Sequence, residues 1–375
     1  MTGGPLKGGV VNVGCFAALD VPPRSTRVRA FLQAEGLDAL AVTAPMNVRW
    51  LTGFTGSHAV VLIAAQRLTL FTDGRYSHQA PRELAAAGVD AEVVVGPDAL
   101  GLLVRAVSAV GRLGLEAADI SWSDQRRLAA ASSAELVATD RALLGLRAVK
   151  DAGELDRIRA AAAVTDAVLA EVVPSLAQRP TERDVALALD HGIRERGATS
   201  SAYETIVASG SNGALPHARP TDRVIEEGDL VVIDVGSLVD GYRSDMTRSF
   251  VVGEANSTQR RQLEVVRAAQ AAGVAVVRAG VEARDVDHAC REVIAAAGWA
   301  DQFSHGTGHG VGLDIHEQPR INARSSDILE SAMLVTVEPG VYLQGQGGVR
   351  WEDLLHVTPT SAEVLTKAPK VTEIL

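Results

Sequence analysis

The chain of 375 residues has little cysteine, few aromatic residues and no excess of positive charge. Its two cysteines, Cys15 and Cys290, stand far apart and outside any Cys-x-x-Cys pair, which excludes a disulfide framework and a thiolate metal site. A formal net charge of −10 provides no positive field for phosphate backbones or anionic lipids, so nucleic acid is not an expected partner. No apolar run approaches the roughly 20 residues of a membrane span. We therefore expect a globular protein of the reducing cytoplasm that has no membrane partner.

The pattern of the chain predicts a leader and two domains. Residues 1–23 contain a stretch broken by glycines and are expected to form a flexible leader. Residues 24–147 alternate short apolar runs with helical stretches, which predicts a small α/β domain with a partly parallel sheet. Residues 148–375 interleave helices with hairpins, which predicts an α+β domain. Its helices are predicted at 152–173, from Pro180-Thr181 onward, at 259–278 and at 283–297, and its strands at 230–235, 242–252, 334–337 and 349–357.

Two aspartates occupy a predicted hairpin of the second domain. The apolar run 230–235 has the character of a buried strand but carries Asp234, and an isolated buried carboxylate is costly. Asp240-Gly241 is a turn signal, and the next strand contains Asp245. If the hairpin is centred just before Asp240, the two aspartates face each other with Cβ atoms about 4.5–5.5 Å apart. A positive group is then expected between them, unless one aspartate only caps the turn or faces water.

A second predicted hairpin repeats this arrangement with glutamates. One strand ends at Glu338, and a glycine-rich turn leads to a strand that contains Glu352. A centre at Gly345 places the two glutamates opposite each other. Two hairpins that each present an opposed pair of acids indicate a site far more strongly than either hairpin does alone.

Between the hairpins lies a glycine-rich segment, 305–317, that contains three histidines. Its glycine density argues against a helix, so the four-residue spacing of His305 and His309 is not the helical zinc motif. A lone histidine is more often a satisfied core residue. Three of them, with His316, on an extended segment favour a catalytic or metal-binding role.

The four hairpin acids predict a site for two divalent cations, whose charges would balance those of four carboxylates. An oxygen-rich set with a single imidazole suits Mn²⁺ best, with Co²⁺ and Zn²⁺ as alternatives. Two such ions about 3.5–4 Å apart can share a water, lower its pKa and polarise a carbonyl. This is the chemistry that amide hydrolysis requires.

These segments resemble the pita-bread metallopeptidases, a family that includes aminopeptidase P, prolidase, methionine aminopeptidase and the metal-free creatinase. Segment 305–317 is similar to the signature of the proline-specific branch over its whole length. Segments 234–236 and 241–248 are similar to the two-aspartate hairpin of the family, and 338–340 and 350–353 to its glutamate strands. The resemblance implies that residues 148–375 form the catalytic pita-bread domain.

The first domain shares the resemblance. Segments 47–56 and 71–76 look like the creatinase-type N-terminal domain, which implies that residues 24–147 form that domain. Methionine aminopeptidases lack it, and creatinase lacks the metal ligands, whereas all five positions are filled here. Trp351 replaces a usual aliphatic residue, and we expect local repacking without loss of metal.

The resemblance also implies roles for single residues. The expected metal ligands are Asp234, Asp245, His309, Glu338 and Glu352. The expected catalytic residues are His217, His305, His316, Glu338 and Arg350, and the expected substrate contacts are Arg320 and Tyr342.

The implied reaction is hydrolysis of the bond between an N-terminal residue and proline, in di- or oligopeptides, by a hydroxide that bridges the two metals. Glu338 is expected to accept the proton of the nucleophile, His316 to help stabilise the oxyanion, and His217 to bind the substrate or the leaving group.

A dipeptidase differs from aminopeptidase P in closing over the C-terminal carboxylate of its substrate. Arg320 lies in a stretch that resembles the prolidase arrangement and could meet that carboxylate bidentately, which favours an Xaa-Pro dipeptidase. Aminopeptidase P is the alternative, because Arg320 and Arg324 can equally be surface charges. A catalytically silent binding module with the same fold is the remote alternative, and the complete ligand set argues against it. Relatives usually pair through the N-terminal domain, so a homodimer is expected.

Overall fold

The computed structural model describes residues 6–7, 10–12, 15–139, 142–370 and 372–374. The chain forms two compact units. Residues Leu19–Arg147 make the N-terminal unit, and the rest of the chain, including the described residues before Leu19, makes the C-terminal unit.

Where a flexible leader was expected, the described residues make defined contacts within the C-terminal unit. Strands β1 (Leu6–Lys7) and β2 (Val10–Val11) pair antiparallel. The Ala17 amide donates to the Asp156 carboxylate at 3.0 Å. Gly153, near the start of α7, allows the backbone at Ala18 to lie against that helix, because a Cβ at this position would be 2.5 Å from the Ala18 carbonyl oxygen. The rest of the predicted leader, residues 1–5, 8–9 and 13–14, lies outside the described residues.

The N-terminal unit is built on a six-stranded sheet, flanked by helices. Its strands are β3 (Ala39–Val42), β4 (Ala59–Ala64), β5 (Leu68–Thr72), β6 (Glu92–Val95), β7 (Arg112–Leu115) and β8 (Glu135–Ala138). Its helices are α1 (Pro22–Glu35), α2 (Pro45–Thr52), α3 (Gln79–Ala86), α4 (Ala99–Ala106), α5 (Trp122–Ala131) and α6 (Ala142–Ala148). The strand order is β6-β5-β4-β3-β7-β8, and only the two pairings made by β4 are antiparallel. The predicted partly parallel sheet is confirmed.

The C-terminal unit interleaves helices with antiparallel hairpins, as predicted. Its helices are α7 (Ala152–Val172), α8 (Glu182–Glu195), α9 (Ser257–Val276) and α10 (Ala283–Ala296). Its further strands are β9 (Ser200–Ser201), β10 (Ile206–Ser209), β11 (Leu230–Asp234), β12 (Ser237–Val239), β13 (Tyr242–Arg243), β14 (Thr247–Val252), β15 (Gly308–Gly310), β16 (Glu317–Ile321), β17 (Leu334–Val337), β18 (Gly340–Leu343), β19 (Gly347–Arg350), β20 (Asp353–Val357), β21 (Ala362–Val364) and β22 (Glu373–Ile374). The two larger sheets have the orders β10-β11-β14-β22 and β16-β15-β17-β20-β21.

Local sequence explains where two of these helices begin. Asp151 and Glu154 form a capping box at the start of α7, and Thr181 and Asp184 form another at the start of α8. Both helix starts agree with the prediction. Among the described residues, one stretch, Ala152–Gln178, has the length and composition of a membrane span, but α7 packs its apolar face against α8, β12 and β13. It is therefore a core helix of this unit.

Two apolar cores pack the hairpins of this unit against its helices. One is shared by α7, α8, β10, β11 and β14, and the other by α9, α10 and the strands β17 to β20. Trp351 is fully buried in the second core, with the Arg248 guanidinium 5.5 Å and that of Arg267 5.8 Å from its ring centre. The tryptophan is thus packed by cation–π contacts as well as apolar neighbours.

Candidate metal centre and catalytic cleft

The aspartate hairpin has a different register from the predicted one. Asp240 and Gly241 both have positive φ, 44° and 81°, so they are the two central residues of the turn, as in a type I′ hairpin. The turn centre therefore lies between them and not before Asp240. Asp234 pairs with Thr247 across the sheet, and the prediction that it directly opposes Asp245 was wrong by two residues.

The two aspartates nevertheless meet. The Tyr203 hydroxyl lies 2.5 Å from Asp234 Oδ1 and 2.5 Å from Asp245 Oδ1. Burial, followed by the charge of Asp234, raises the pKa of Tyr203 well above its ordinary value, so the phenol keeps the proton that it donates. Asp245 lies between β13 and β14, where Gly236 leaves room for the Ser244 carbonyl of the facing segment. Asp245 is two residues from Thr247, the partner of Asp234, so strand alternation keeps the two carboxylates on the same face of the sheet.

The glutamate hairpin has the predicted register. Val337 pairs with Asp353 on one side, and Gly340 pairs with Arg350 on the other, so the register around Glu338 and Glu352 is the one that a centre at Gly345 requires.

Glu352 also connects the two hairpins. Its amide donates to the Thr247 carbonyl at 3.2 Å, and the Thr247 hydroxyl donates to Glu352 Oε2 at 2.8 Å. The same hydroxyl accepts from Arg350 Nε at 3.0 Å, and Arg350 Nη2 is 2.6 Å from Asp234 Oδ2. Thr247 and Arg350 thereby fix two of the predicted metal ligands relative to each other.

His309 lies on β15 beside these acids. Its Nδ1 is 3.0 Å from the Gly310 carbonyl oxygen, which can only accept, so Nδ1 carries the proton. Burial, with the neighbouring His316, lowers the pKa of His309 to about 3, so the ring is neutral and Nε2 presents a lone pair. That atom lies 3.3 Å from Glu338 Oε1 and 3.6 Å from Asp245 Oδ2. A lone pair that faces carboxylate oxygens is an arrangement that a shared cation stabilises.

The electrostatics of the four acids, called here the carboxylate cluster (Asp234, Asp245, Glu338 and Glu352), fit a cation site. Burial, reinforced by the neighbouring acids, raises the pKa values of Asp245 and Glu352 well above the ordinary range. Burial also raises the pKa of Glu338 to about 8, against the opposing charge of Arg350. Ligand atoms of Asp245, His309 and Glu352 lie within 4.8 Å of one another. When ionised, four carboxylates carry more negative charge than the Arg350 guanidinium balances, and the donors are the oxygen and imidazole types that divalent metals take.

A second hydrogen-bonded chain runs from the cluster to His305. Arg350 Nη1 donates to the Tyr342 hydroxyl at 2.9 Å, and that hydroxyl lies 2.9 Å from His305 Nε2. His305 Nδ1 donates to the Gly306 carbonyl at 2.8 Å, so Nε2 accepts from the tyrosine. Burial, with Arg350, lowers the pKa of His305 to about 4. Tyr342 is not among the residues that line the cleft, and its hydroxyl is linked to the cleft through His305, which does line it.

The cluster opens into a cleft of about 780 Å³ within the C-terminal unit. Residues of the predicted catalytic and substrate-binding set line it, namely His217, His305, His316, Arg320, Glu338 and Arg350. Arg350 also donates to the Pro216 carbonyl at 3.1 Å, beside His217. Arg320 contributes to lowering the pKa of His316, after burial, and opposes the rise in that of Glu338, so its positive charge acts on the cleft.

Sequence reasoning missed contacts of the cluster, among them those of Tyr203 and Thr247. Tyr203 is one of four tyrosines in the chain, and it is half-buried at the edge of the cleft, but nothing in its local sequence indicates this position. Thr247 has no signal beyond its place in a predicted strand. Both act through contacts between segments far apart in the chain.

Comparisons with known proteins agree with this geometry. The chain matches Metallopeptidase family M24 over residues 156–359 and the Creatinase/Prolidase N-terminal domain over residues 24–149. A structure described as Xaa-Pro dipeptidase from Bacillus anthracis is 36% identical, with a TM-score of 0.90, over 94% of this chain and 99% of that one. A structure of X-Pro aminopeptidase from Thermotoga maritima is 33% identical, with a TM-score of 0.84, over 94% and 100%. The sequence of an Xaa-Pro dipeptidase of Pyrococcus furiosus is 32% identical over 92% of this chain and 98% of its own length.

Proposed function

The chain belongs to metallopeptidase family M24, and on that premise we propose that it is an Xaa-Pro dipeptidase. Residues 148–375 would form the catalytic domain and residues 24–147 the creatinase-type N-terminal domain. The observation that carries the proposal is the buried carboxylate cluster with His309, set in a cleft that Arg320 also lines. The relatives described as dipeptidases support the same substrate class.

The proposed metal ligands are Asp234, Asp245, His309, Glu338 and Glu352. Two divalent cations, of which Mn²⁺ is the favoured candidate, would supply Lewis-acid polarisation of the scissile carbonyl and acidify the attacking water. Tyr203, Thr247 and Arg350 hold three of these side chains in place through the hydrogen bonds described above, namely Asp234, Asp245 and Glu352.

Three cleft residues would handle protons and charge during hydrolysis. Glu338 lines the cleft and is proposed to accept the proton of the attacking water. Partial burial in the cleft lowers the pKa of His316, which favours a neutral ring able to donate a hydrogen bond to the developing oxyanion. His217, which lines the cleft and follows the Pro216 carbonyl held by Arg350, is proposed to bind the substrate or the leaving group.

Arg320 is the proposed contact for the C-terminal carboxylate of a dipeptide. It pairs with His309 across β15 and β16, which places it one strand away from the proposed metal ligand. A guanidinium can hold a carboxylate through two parallel hydrogen bonds. A longer peptide has an amide in place of that carboxylate and would lose this interaction.

The test compares hydrolysis of Ala-Pro with that of Ala-Pro-Ala by the Mn²⁺-loaded protein. We expect faster turnover of the dipeptide, and we expect Arg320→Met to raise the KM for Ala-Pro by about 10- to 100-fold, since hydrogen bonds to charged groups contribute about 1.5–3 kcal/mol. Arg324→Met is the matched control, because Arg324 lines the same cleft. Preferential cleavage of Ala-Pro-Ala would indicate an aminopeptidase. No cleavage of either peptide and no tight metal binding would indicate a binding module.

A cytoplasmic homodimer is the proposed state of the protein. The support is the usual pairing in the family and the low cysteine content. Light scattering at micromolar concentration tests the dimer, and a fully active monomer would contradict it.

A further inference from the structure

A deeply buried ion pair lies at the base of the loop that carries His316. Lys150 Nζ is 2.7 Å from Glu317 Oε2, and each side chain is only 1% exposed. Taking two charges out of water costs about as much as their attraction returns, so such a pair does little for stability by itself. Its position beside the loop that carries His316 points to a role other than stability.

Glu317 organises the loop 311–316. Its backbone pairs with Gly310 across β15 and β16, at the point where the loop begins and ends. Its other carboxylate oxygen, Oε1, accepts from the Asp314 amide at 3.1 Å. Gly312 packs onto the carboxylate so closely that a Cβ there would lie 2.6 Å from Oε2. The loop is therefore folded around the Glu317 carboxylate.

Lys150 is held by its own backbone surroundings. Its amide donates to the Ala332 carbonyl at 2.9 Å, and the preceding residue, Val149, forms a β-bridge with Met333. The next residue, Asp151, caps α7. The ammonium group thus reaches Glu317 from a fixed point of the C-terminal unit.

The loop ends at His316, directly before Glu317. The His316 ring packs edge-on against His309, with 4.4 Å between the ring centres, and lines the cleft. We infer that Lys150 is a positioning residue that acts through Glu317 to hold His316 at the reacting centre. This inference rests on the proposed function, because His316 matters only if the cleft hydrolyses a substrate. A displacement of about 1 Å in a catalytic group can cost about 100-fold in rate.

The test uses kinetics on Ala-Pro with saturating Mn²⁺. We expect Lys150→Met to lower kcat by about 10- to 100-fold, with a smaller change in KM. In a His316→Ala background the same substitution should have no further effect on kcat. An equal loss with and without His316 would overturn the inference.

A second variant separates positioning from stability. Lys150→Met leaves the Glu317 charge buried and unpaired and should lower Tm, whereas Lys150→Met/Glu317→Leu removes both charges and should recover Tm. It should not recover kcat, because the Asp314 amide has lost its acceptor. Recovery of kcat together with Tm would show that the pair serves stability alone. Arg223→Met, which breaks the partly buried pair with Asp229, is the control and should lower Tm without lowering kcat.

A crystal structure of Lys150→Met gives a readout that does not depend on activity. The separation between the His309 and His316 rings should differ from 4.4 Å by about 1 Å or more, the scale of displacement that matters for catalysis. Unmoved rings in an active enzyme would overturn the inference and leave the proposed function standing. Displaced rings in a protein whose wild type cleaves neither peptide would overturn the proposed function and leave the positioning role standing.

Discussion

Glu116 in the N-terminal unit and the acids of the carboxylate cluster in the C-terminal unit are all largely removed from water, but the groups that surround them differ. Glu116 follows β7 and is 5% exposed. Its carboxylate accepts from the amides of Thr43 at 2.5 Å and Ala44 at 2.8 Å, and from Asn47 Nδ2 at 2.5 Å. These donors surround the start of α2, so the acid supplies the cap that Ala44 cannot.

In the C-terminal unit the neighbours of a buried acid include other acids. Burial raises the pKa of Glu116 and also those of Asp245 and Glu352, but backbone donors oppose the rise at Glu116, whereas further carboxylates add to it in the cluster. Burial and a raised pKa are therefore common to both places. What distinguishes a cation site is that several acids face one another, in addition to the hydrogen bonds that each of them accepts.

Glu352→Gln should give the largest effect that follows from this contrast. The substitution removes one charge of the cluster and keeps nearly the same volume and the acceptor for Thr247. We expect loss of at least one metal per chain and a fall in kcat of at least about 100-fold, since even residues behind a ligand commonly account for about 10–100-fold. Metal analysis and Ala-Pro turnover measure this, and far-ultraviolet circular dichroism should be unchanged. Two retained metals with near-normal turnover would remove Glu352 from the site.

The same substitution at Glu116 is the matched control. Glu116→Gln should keep both metals and the activity, because this acid has donors as partners. It should lower the free energy of unfolding by about 1–3 kcal/mol, since an amide cannot accept all the hydrogen bonds of the carboxylate. A loss of metal in this variant would break the comparison.

Removing the metal should make stability depend on pH in a direction set by Glu338. Its pKa is raised to about 8 in the metal-free fold, above the ordinary value of 4.5, so the folded state binds more protons than the unfolded chain between these values. The free energy of unfolding is then greatest below pH 4.5 and falls as the pH rises through 8. His305 and His309, whose pKa values are lowered, give the opposite slope only below their ordinary value of 6.5.

The window from pH 6.5 to 8 therefore isolates the carboxylates. We expect the metal-free protein to lose on the order of 2 kcal/mol across it. Saturating Mn²⁺ should remove this loss, because metal and protons compete for the same oxygens. Denaturant unfolding at the two pH values measures it. Glu338→Gln should flatten the slope of the metal-free protein, and an equally steep slope in that variant would assign the titration elsewhere.

The two hairpins show which features of the site could be predicted from the sequence alone. An acid that ends an apolar strand occurs at Glu116 as well as at Asp234, so that pattern by itself does not identify a site. The expectation that acids face one another in pairs across two hairpins identified the cluster. Which residues pair across a hairpin, however, depends on the conformation of its turn. The glycine-rich turn at Gly345 gave the correct register, whereas at Asp240-Gly241 both residues take positive φ and the true centre lies one residue later.

Contacts between distant segments are the part that sequence could not predict. Tyr203 meets Asp245 from 42 positions away, and Lys150 meets Glu317 from 167. Apolar periodicity and capping residues report on a few neighbouring positions, so they predicted α7 and α8 but not which side chains meet inside the unit.

The smallest predicted effect concerns Gly345, at the tip of the glutamate hairpin. It tests whether the turn contributes to metal binding and turnover or only to stability. Gly345 has a φ of 78°, and a Cβ built there meets nothing within 4 Å, so Gly345→Ala adds backbone strain without a clash. We expect a loss of about 1 kcal/mol in the free energy of unfolding, and less for Gly345→Asn, since asparagine tolerates positive φ better. Metal stoichiometry and Ala-Pro turnover should stay as in the wild type, because the two glutamates lie beyond the far end of β18 and β19. There Thr247 donates to the Glu352 carboxylate and Thr336 to that of Glu338. Loss of metal in Gly345→Ala alone would mean that the turn, and not those hydrogen bonds, sets the spacing of the two glutamates.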